Sequence, residues 1–243
     1  MISKEARAIV MGGTSGIGRE VAMLLAQRGW RVGVAGRRAA VLEEMKREGS
    51  VSNIATIDVT AEDAAERLVA FINEMGGIDL YLHCSGIGWQ NPELDPDKEM
   101  ATTETNAVGF VRMMDAAFAY FRKHGGGHIA VVSSIAGTKG LGTAPAYSAT
   151  KRFQNTYVDA LAKLSRMQHL NISFTDIRPG FVDTAFISGS NFPMQMNVKR
   201  VAKSIVKAIE KRRRVVVIDW RYRLLTFFWR LLPEWLWERM RIG

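Results

Sequence analysis

Short β-branched, apolar runs alternate with amphipathic stretches along the whole chain. "ARAIVM" leads into a helical pattern over 16–28, "RVGVA" into one over 38–48 and "SNIATI" into one over 61–75, and "IDLYLH" follows. In the second half a helical pattern around 105–122 gives way to "HIAVVS", then to a helix over about 146–168, "NISFTDI", a helix over 198–211 and "VVVID". Strand centres that are apolar at successive positions belong to strands buried on both faces. Seven such strands separated by helices predict an α/β protein, a doubly wound Rossmann-type fold with a seven-stranded parallel sheet flanked by helices. Two stretches rich in turn formers, "WQNPELDPDKE" (89–99) and "ISGSNFPMQMN" (187–197), read as mobile loops on the sheet edge where open α/β folds bind ligands.

At 243 residues, 47% of them hydrophobic, the chain can fill one sizeable core. The expected organisation is a single catalytic domain over 1–219 and a C-terminal amphipathic helical extension over 220–243. The formal charge of +9 is concentrated at the end, where residues 211–243 hold nine basic side chains against Asp219, Glu234 and Glu238. In that tail the aromatics alternate with leucines instead of lining a basic groove, so no nucleic-acid partner is expected. Cys84 is the only cysteine, which excludes an intrachain disulfide and suits a reducing, cytoplasmic setting. His83, His124, His128 and His169 show no paired ligand spacing, so no metal site is expected. The polar start, Ile2 to Arg7, leaves no room for the apolar core of a secretory signal.

Candidate chemistry begins with "VMGGTSGIGRE", between the first strand and the first helix. Gly12, Gly16 and Gly18, with Thr14, Ser15 and Ile17 between them, suit a tight turn whose backbone approaches a pyrophosphate at a helix N-terminus. The second strand ends "VAGRR", with Gly36 where an NAD site commonly carries a carboxylate. Arg37, and after it Arg38, can fork onto a 2′-phosphate, which favours NADP(H). Asp58, ending the third strand, is a candidate for the adenine edge or for a helix cap. In "AYSATK" Tyr147 and Lys151 stand four apart, on one helix face. "VVSSIAG" puts Ser134 at the carboxyl edge of a strand, and "TNAVG" puts Asn106 on a helix beside it.

In this order the motifs resemble those of the short-chain dehydrogenase/reductase family, and the resemblance covers roughly residues 6–218. It implies Tyr147 as general acid in carbonyl reduction and base in alcohol oxidation, with Ser134 as a second donor to the carbonyl. It further implies Lys151 on the nicotinamide ribose and Asn106 holding a water that relays protons. In "RPGFVDT" it implies Pro179 and Gly180 shaping a turn whose backbone, with Val182 and Thr184, meets the carboxamide. One departure stands out: where the family usually has Asn-Asn-Ala-Gly, this chain has His83-Cys84-Ser85-Gly86, losing a strand-tying donor but keeping Gly86 for close cofactor approach. His83 itself reads as a hydrogen-bonded core histidine.

The residues expected to wall a hydrophobic pocket are Ile87, Trp89, Leu141, Phe186, Phe192, Met194 and Met196. The expected reaction is NADPH-dependent reduction of a hydrophobic, lipid-like ketone or aldehyde. A 3-oxoacyl thioester reductase and a non-catalytic dinucleotide-binding scaffold stay open. The resemblance also implies a homodimer or homotetramer through the helices around 105–122 and 146–168. The tail "WRYRLLTFFWRLLPEWLWERM" cannot span a bilayer, because Arg223 and Arg230 bracket only six uncharged residues and about 20 are needed. Pro233 should break it into two short helices. It is expected either to pack on its own domain or a second subunit, or to lie peripherally on a membrane.

Overall fold

The computed structural model describes residues 5–184 and 194–240. In chain order its elements are β1 (Arg7–Met11), α1 (Gly16–Gln27), β2 (Arg31–Gly36), α2 (Ala39–Arg47), β3 (Asn53–Thr56), α3 (Ala64–Glu74) and β4 (Leu80–His83). These are followed by α4 (Pro96–Thr103), a π-helical turn (Glu104–Gly109), α5 (Phe110–Lys123), β5 (Gly127–Val132), a 3₁₀ turn (Ile135–Thr138), α6 (Pro145–Met167) and β6 (Ile172–Arg178). The short strands β7 (Val182–Asp183) and β8 (Met196–Asn197), then α7 (Val198–Glu210), β9 (Val215–Val217), α8 (Trp220–Leu231) and α9 (Glu234–Trp237) complete it.

Seven strands form one parallel sheet in the order β3-β2-β1-β4-β5-β6-β9. This is the doubly wound arrangement that the alternating pattern predicts. Side chains of successive strand residues go to opposite faces: Ala8, Val10, Leu80 and Leu82 join α1, α2 and α7 in one cluster, while Ile9, Met11 and Tyr81 join α3, α5 and α6 in the other. Covering both faces is what makes the strand centres mostly apolar, each buried aliphatic side chain contributing about 1.5–3 kcal/mol. The chain runs outward from β1 to β3 and then returns to place β4 on the other side of β1. Ligands bind outside the strand carboxyl ends at such a reversal.

Three local features depart from the sequence reading. Residues 89–95 are irregular but anchored, and residues 96–99 are helical. Asn91 is buried, its N–H donates to Thr143 O at 2.7 Å, and its side chain bonds Asp95 and Glu99. The Asp95-Pro96 pair then starts α4, Asp95 accepting from Asp97 N with Pro96 in the first turn. The helix around 105–122 opens with a π-helical turn. Of the stretch 187–197, residues 187–193 lie outside the described residues, and Met196 pairs with Val182 between β8 and β7 and is buried in the core.

Candidate active site

The glycine loop joins β1 to α1, held to the end of β2 by Gly12 N to Ala35 O at 2.8 Å, and its glycines answer to close contacts. Gly12 adopts φ +80°, and a Cβ there would stand 2.6 Å from Ser85 N; at Gly18 a Cβ would stand 2.4 Å from Gly12 O. The loop, the start of α2 and the stretch around Thr184 enclose a cleft of about 380 Å³ lined by Thr14, Ser15, Gly16, Arg19, Arg38 and Thr184, among others. Arg38 is fixed over the loop, with Nε and Nη2 donating to Thr14 Oγ1 at 3.1 and 2.7 Å. Arg37 is exposed and does not line the cleft. Arg19 Nε is buried without a hydrogen-bond partner among the described residues, a donor that an anion in the cleft would satisfy. Narrow glycine contacts, a helix N-terminus and two cleft arginines fit a dinucleotide phosphate. Asp58 makes an Asx turn, its Oδ1 accepting from the N–H and hydroxyl of Thr60; the α3 N-cap is Asp63. Ile17 is half-buried against the core.

Next to this loop the structure gathers Asn106, Ser134, Tyr147 and Lys151. Asn106 clamps the stretch after β4, since its Oδ1 accepts from Ile87 N at 2.9 Å and its Nδ2 donates to Ile87 O at 2.7 Å. Gly86 lies against the same two residues that a Cβ would meet, Asn106 and Lys151. Ser134 caps the 3₁₀ turn through Ala136 N, leaving its hydroxyl hydrogen to point elsewhere, and it hydrogen-bonds Tyr147. Lys151 is 5% exposed; its Nζ donates to Gln154 Oε1 at 3.0 Å and Val132 O at 3.3 Å, and lies 5.7 Å from the Tyr147 ring centroid.

Burial lowers the Lys151 ammonium to about 8, opposed by Cys84 and Asp176. Burial raises the Tyr147 phenol, opposed by the Ser134 bond. Desolvation of the phenolate is the larger effect. Tyr147 is accordingly a protonated donor near neutrality.

The His83-Cys84 departure is accommodated quietly. Cys84 ties β4 to β1 through its backbone, N to Met11 O at 2.8 Å, and burial pushes its thiol up to about 12. His83 is fully buried, meets Tyr81 hydroxyl through Nδ1 at 3.0 Å, and is held neutral, down to about 3, by burial and by Lys151. Behind Ser134, Asp176 gathers Ser133, Asn155 and Arg178, the last at 2.6 Å, and so braces the start of the Pro179-Gly180 turn. Val182 is buried, so only its backbone is available, and Thr184 donates to Val182 O at 3.2 Å. Of the expected pocket walls, Ile87 and Leu141 are half-buried, Trp89 and Met194 are exposed, Met196 is core, and Phe186 and Phe192 lie outside the described residues.

The tail reaches this region. Tyr222, fully buried, packs where a Cβ on Gly180 would stand 2.3 Å from its ring, and its hydroxyl accepts from Phe181 N at 3.3 Å and donates to Met194 O at 3.1 Å. Trp237 Nε1 donates to Gly140 O at 2.8 Å, and Lys139 pairs with Glu234. Between α9 and residues 137–143 lies a groove of about 920 Å³. Tyr222, Arg19 and Gln154 were not singled out in the sequence: the first two stand next to recognisable motifs, but a glutamine seven residues after Tyr147 carries no motif of its own.

The family profile described as short chain dehydrogenase matches residues 6–193. An uncharacterized oxidoreductase of Myxococcus xanthus is 32% identical over 95% of this chain and 94% of its own length. Dehydrogenase/reductase SDR family member 7B of Bos taurus is 27% identical over 98% of this chain and 80% of that one. Among solved structures, a short-chain type dehydrogenase/reductase from Mycobacterium ulcerans superposes with a TM-score of 0.76, 25% identity and 90% coverage of both chains. The actinorhodin polyketide ketoreductase, solved with NADPH, does so with a TM-score of 0.76 at 24% identity, over 88% of this chain and 95% of that one. Together the ordered motifs, the sheet and the match across three quarters of its length establish that this chain is an oxidoreductase belonging to the short-chain dehydrogenase/reductase family.

Proposed function

We propose that this protein is an NADPH-dependent reductase that converts a hydrophobic, lipid-like ketone or aldehyde to an alcohol. The observation that carries the reading is the meeting of Tyr147, Ser134 and Lys151 beside the Gly12–Gly18 loop, with the phenol held in its protonated form. Bound dinucleotide supplies the hydride. The protein's part is to hold the carbonyl oxygen between the Tyr147 and Ser134 hydroxyls and to deliver the Tyr147 proton as negative charge builds on that oxygen, help typically worth about 10²–10⁴-fold. Lys151, with Asn106 behind it, holds the ribose. Gly86, Pro179, Gly180, Val182 and Thr184 line the nicotinamide end, and Asp58 the adenine end.

Arg38 is the leading reader of a 2′-phosphate, because Thr14 already holds it over the loop, and Arg37 stands second. Gly36 leaves no carboxylate to repel that phosphate. The protein works as a homo-oligomer: Val108, Phe153 and Leu164 are exposed on and beside α5 and α6. The tail completes the substrate side. On α8, Trp220, Leu224, Phe227, Phe228 and Leu231 are exposed along one stripe, bordered by the exposed Arg223 and Arg230, while Tyr222 and Trp229 are buried on the opposite side. That face suits peripheral contact with an anionic membrane surface beside the site, where a lipid-like carbonyl would be found. No helix among the described residues is long and apolar enough to cross a membrane.

The test is NADPH and NADH consumption across ketones and aldehydes, including acyl-chain, steroid-like and 3-oxoacyl thioester compounds. Preferential NADPH oxidation with apolar carbonyls is expected. A strong preference for the thioester would favour the fatty-acid reductase, and cofactor binding without any turnover would favour the scaffold.

A further inference from the structure

Tyr147, Lys151 and Gln154 stand at i, i+4 and i+7 on α6, so their side chains share one face. Gln154 is fully buried and uses both ends of its amide. Its Nε2 donates to the Asn106 backbone oxygen at 2.9 Å, and its Oε1 accepts from Lys151 Nζ at 3.0 Å. Burying a primary amide is costly when its groups are unpaired, and here both the described bonds go to residues of the site. Val132 O takes a second Nζ hydrogen at 3.3 Å, which leaves one of the three ammonium hydrogens for other partners. The carboxamide therefore forms a hydrogen-bonded strut between the Asn106 backbone and the Lys151 ammonium.

We propose that Gln154 is a positioning residue: by bridging the Asn106 backbone to the Lys151 ammonium it sets both the aim of Lys151 and its affinity for a proton. This rests on the proposed role of Lys151. A carboxamide holds its N–H protons at neutral pH, so the strut transmits orientation and dipole and does not pass protons from Asn106 to Lys151. Its oxygen faces the ammonium and stabilises the charge in a place where burial opposes it.

The experiment compares Gln154→Glu and Gln154→Leu with the parent protein. The pKa of Lys151 is read by mass spectrometry from its pH-dependent acetylation, and NADPH oxidation is followed against pH. Glutamate should raise the Lys151 midpoint by about one unit or more, as a carboxylate beside an ammonium does, and move the alkaline fall in kcat with it. Leucine should lower the midpoint, cut kcat about tenfold and weaken NADPH as well, because the ammonium it mis-aims is the one that holds the ribose. Gln154→Ala, which leaves room for a water, should recover part of the leucine loss. Unchanged midpoints in both Gln154→Glu and Gln154→Leu would overturn the proposal, and the glutamate variant, which keeps the volume, decides it if the leucine variant fails to fold. Shifted midpoints with no NADPH-dependent turnover in the parent protein would instead sink the reductase reading and leave the strut standing.

Discussion

Gly88→Ala perturbs the proposed acid without touching it. A Cβ at position 88 would stand 2.3 Å from Tyr147 Cδ2, 2.9 Å from Cγ and 3.0 Å from Cε2. Carbon atoms rest at about 3.5–4.0 Å, so ring and backbone must separate by about 1 Å. The backbone cannot easily yield, because Asn106 holds both the N–H and the carbonyl of Ile87, and Thr143 holds Asn91 N at 2.7 Å. The ring must give instead. A displacement of about 1 Å at a reacting group costs up to about 10²-fold, and the overpacking should cost about 1–3 kcal/mol of stability. In steady-state NADPH oxidation with thermal melts alongside, kcat should fall about 10- to 100-fold, NADPH affinity should hold, and the melting temperature should drop by several degrees. Gly142→Ala, whose Cβ would meet nothing within 4 Å, is the control and should behave as the parent. A folded Gly88→Ala protein with the parent kcat would refute the placement of Tyr147 as the acid against this wall.

Three further outcomes follow from the same geometry. Arg38→Ala should weaken NADPH about 10- to 100-fold and NADH little, the value of a charged hydrogen-bond pair of about 1.5–3 kcal/mol, while Arg37→Ala should do less; titration by fluorescence decides, and equal losses for both cofactors would remove the 2′-phosphate role. Reduction should fall as pH rises through about 8, where Lys151 loses its proton, because its pKa is lowered and its charge is present only below that value. His83, neutral above about 3, should add no limb near neutrality, and a pH profile that rises through 8 would contradict this. Replacing Trp220, Leu224, Phe227 and Phe228 with serine should abolish sedimentation with anionic vesicles while leaving turnover of a water-soluble ketone intact. Equal partitioning of parent and variant would remove the membrane contact.

The sheet was legible because its physics is repetitive: strands buried on both faces are apolar at nearly every position, as "AIVM" and "LYL" are, and the longer helices between them show an apolar stripe. What escaped was local and turned on single contacts. Residues 89–99 look like a loop by their prolines and aspartates, yet Asp95-Pro96 is equally a helix start, and only the bonds of Asn91 decide between the two. Met196 looks like a flexible pocket wall, but its pairing with Val182 turns it into the core. Arg37 and Arg38 are indistinguishable in sequence. The backbone direction at the end of β2 sends the second of them onto Thr14. The tail's basic and aromatic pattern announces an amphipathic helix without saying which side is inward, and Tyr222 against Gly180 supplies that answer. Gln154 was the least visible, since its meaning depends on an Asn106 carbonyl 48 positions away.

The central claim is that Tyr147 hands a proton to a carbonyl reduced by NADPH. It is tested most directly by Tyr147→Phe, with NADPH binding followed by fluorescence and turnover by NADPH absorbance on the best ketone found for the parent protein. Binding unchanged within about twofold, with kcat down by about 10²–10⁴-fold, is the expected result. Turnover at the parent rate in the phenylalanine variant would contradict it.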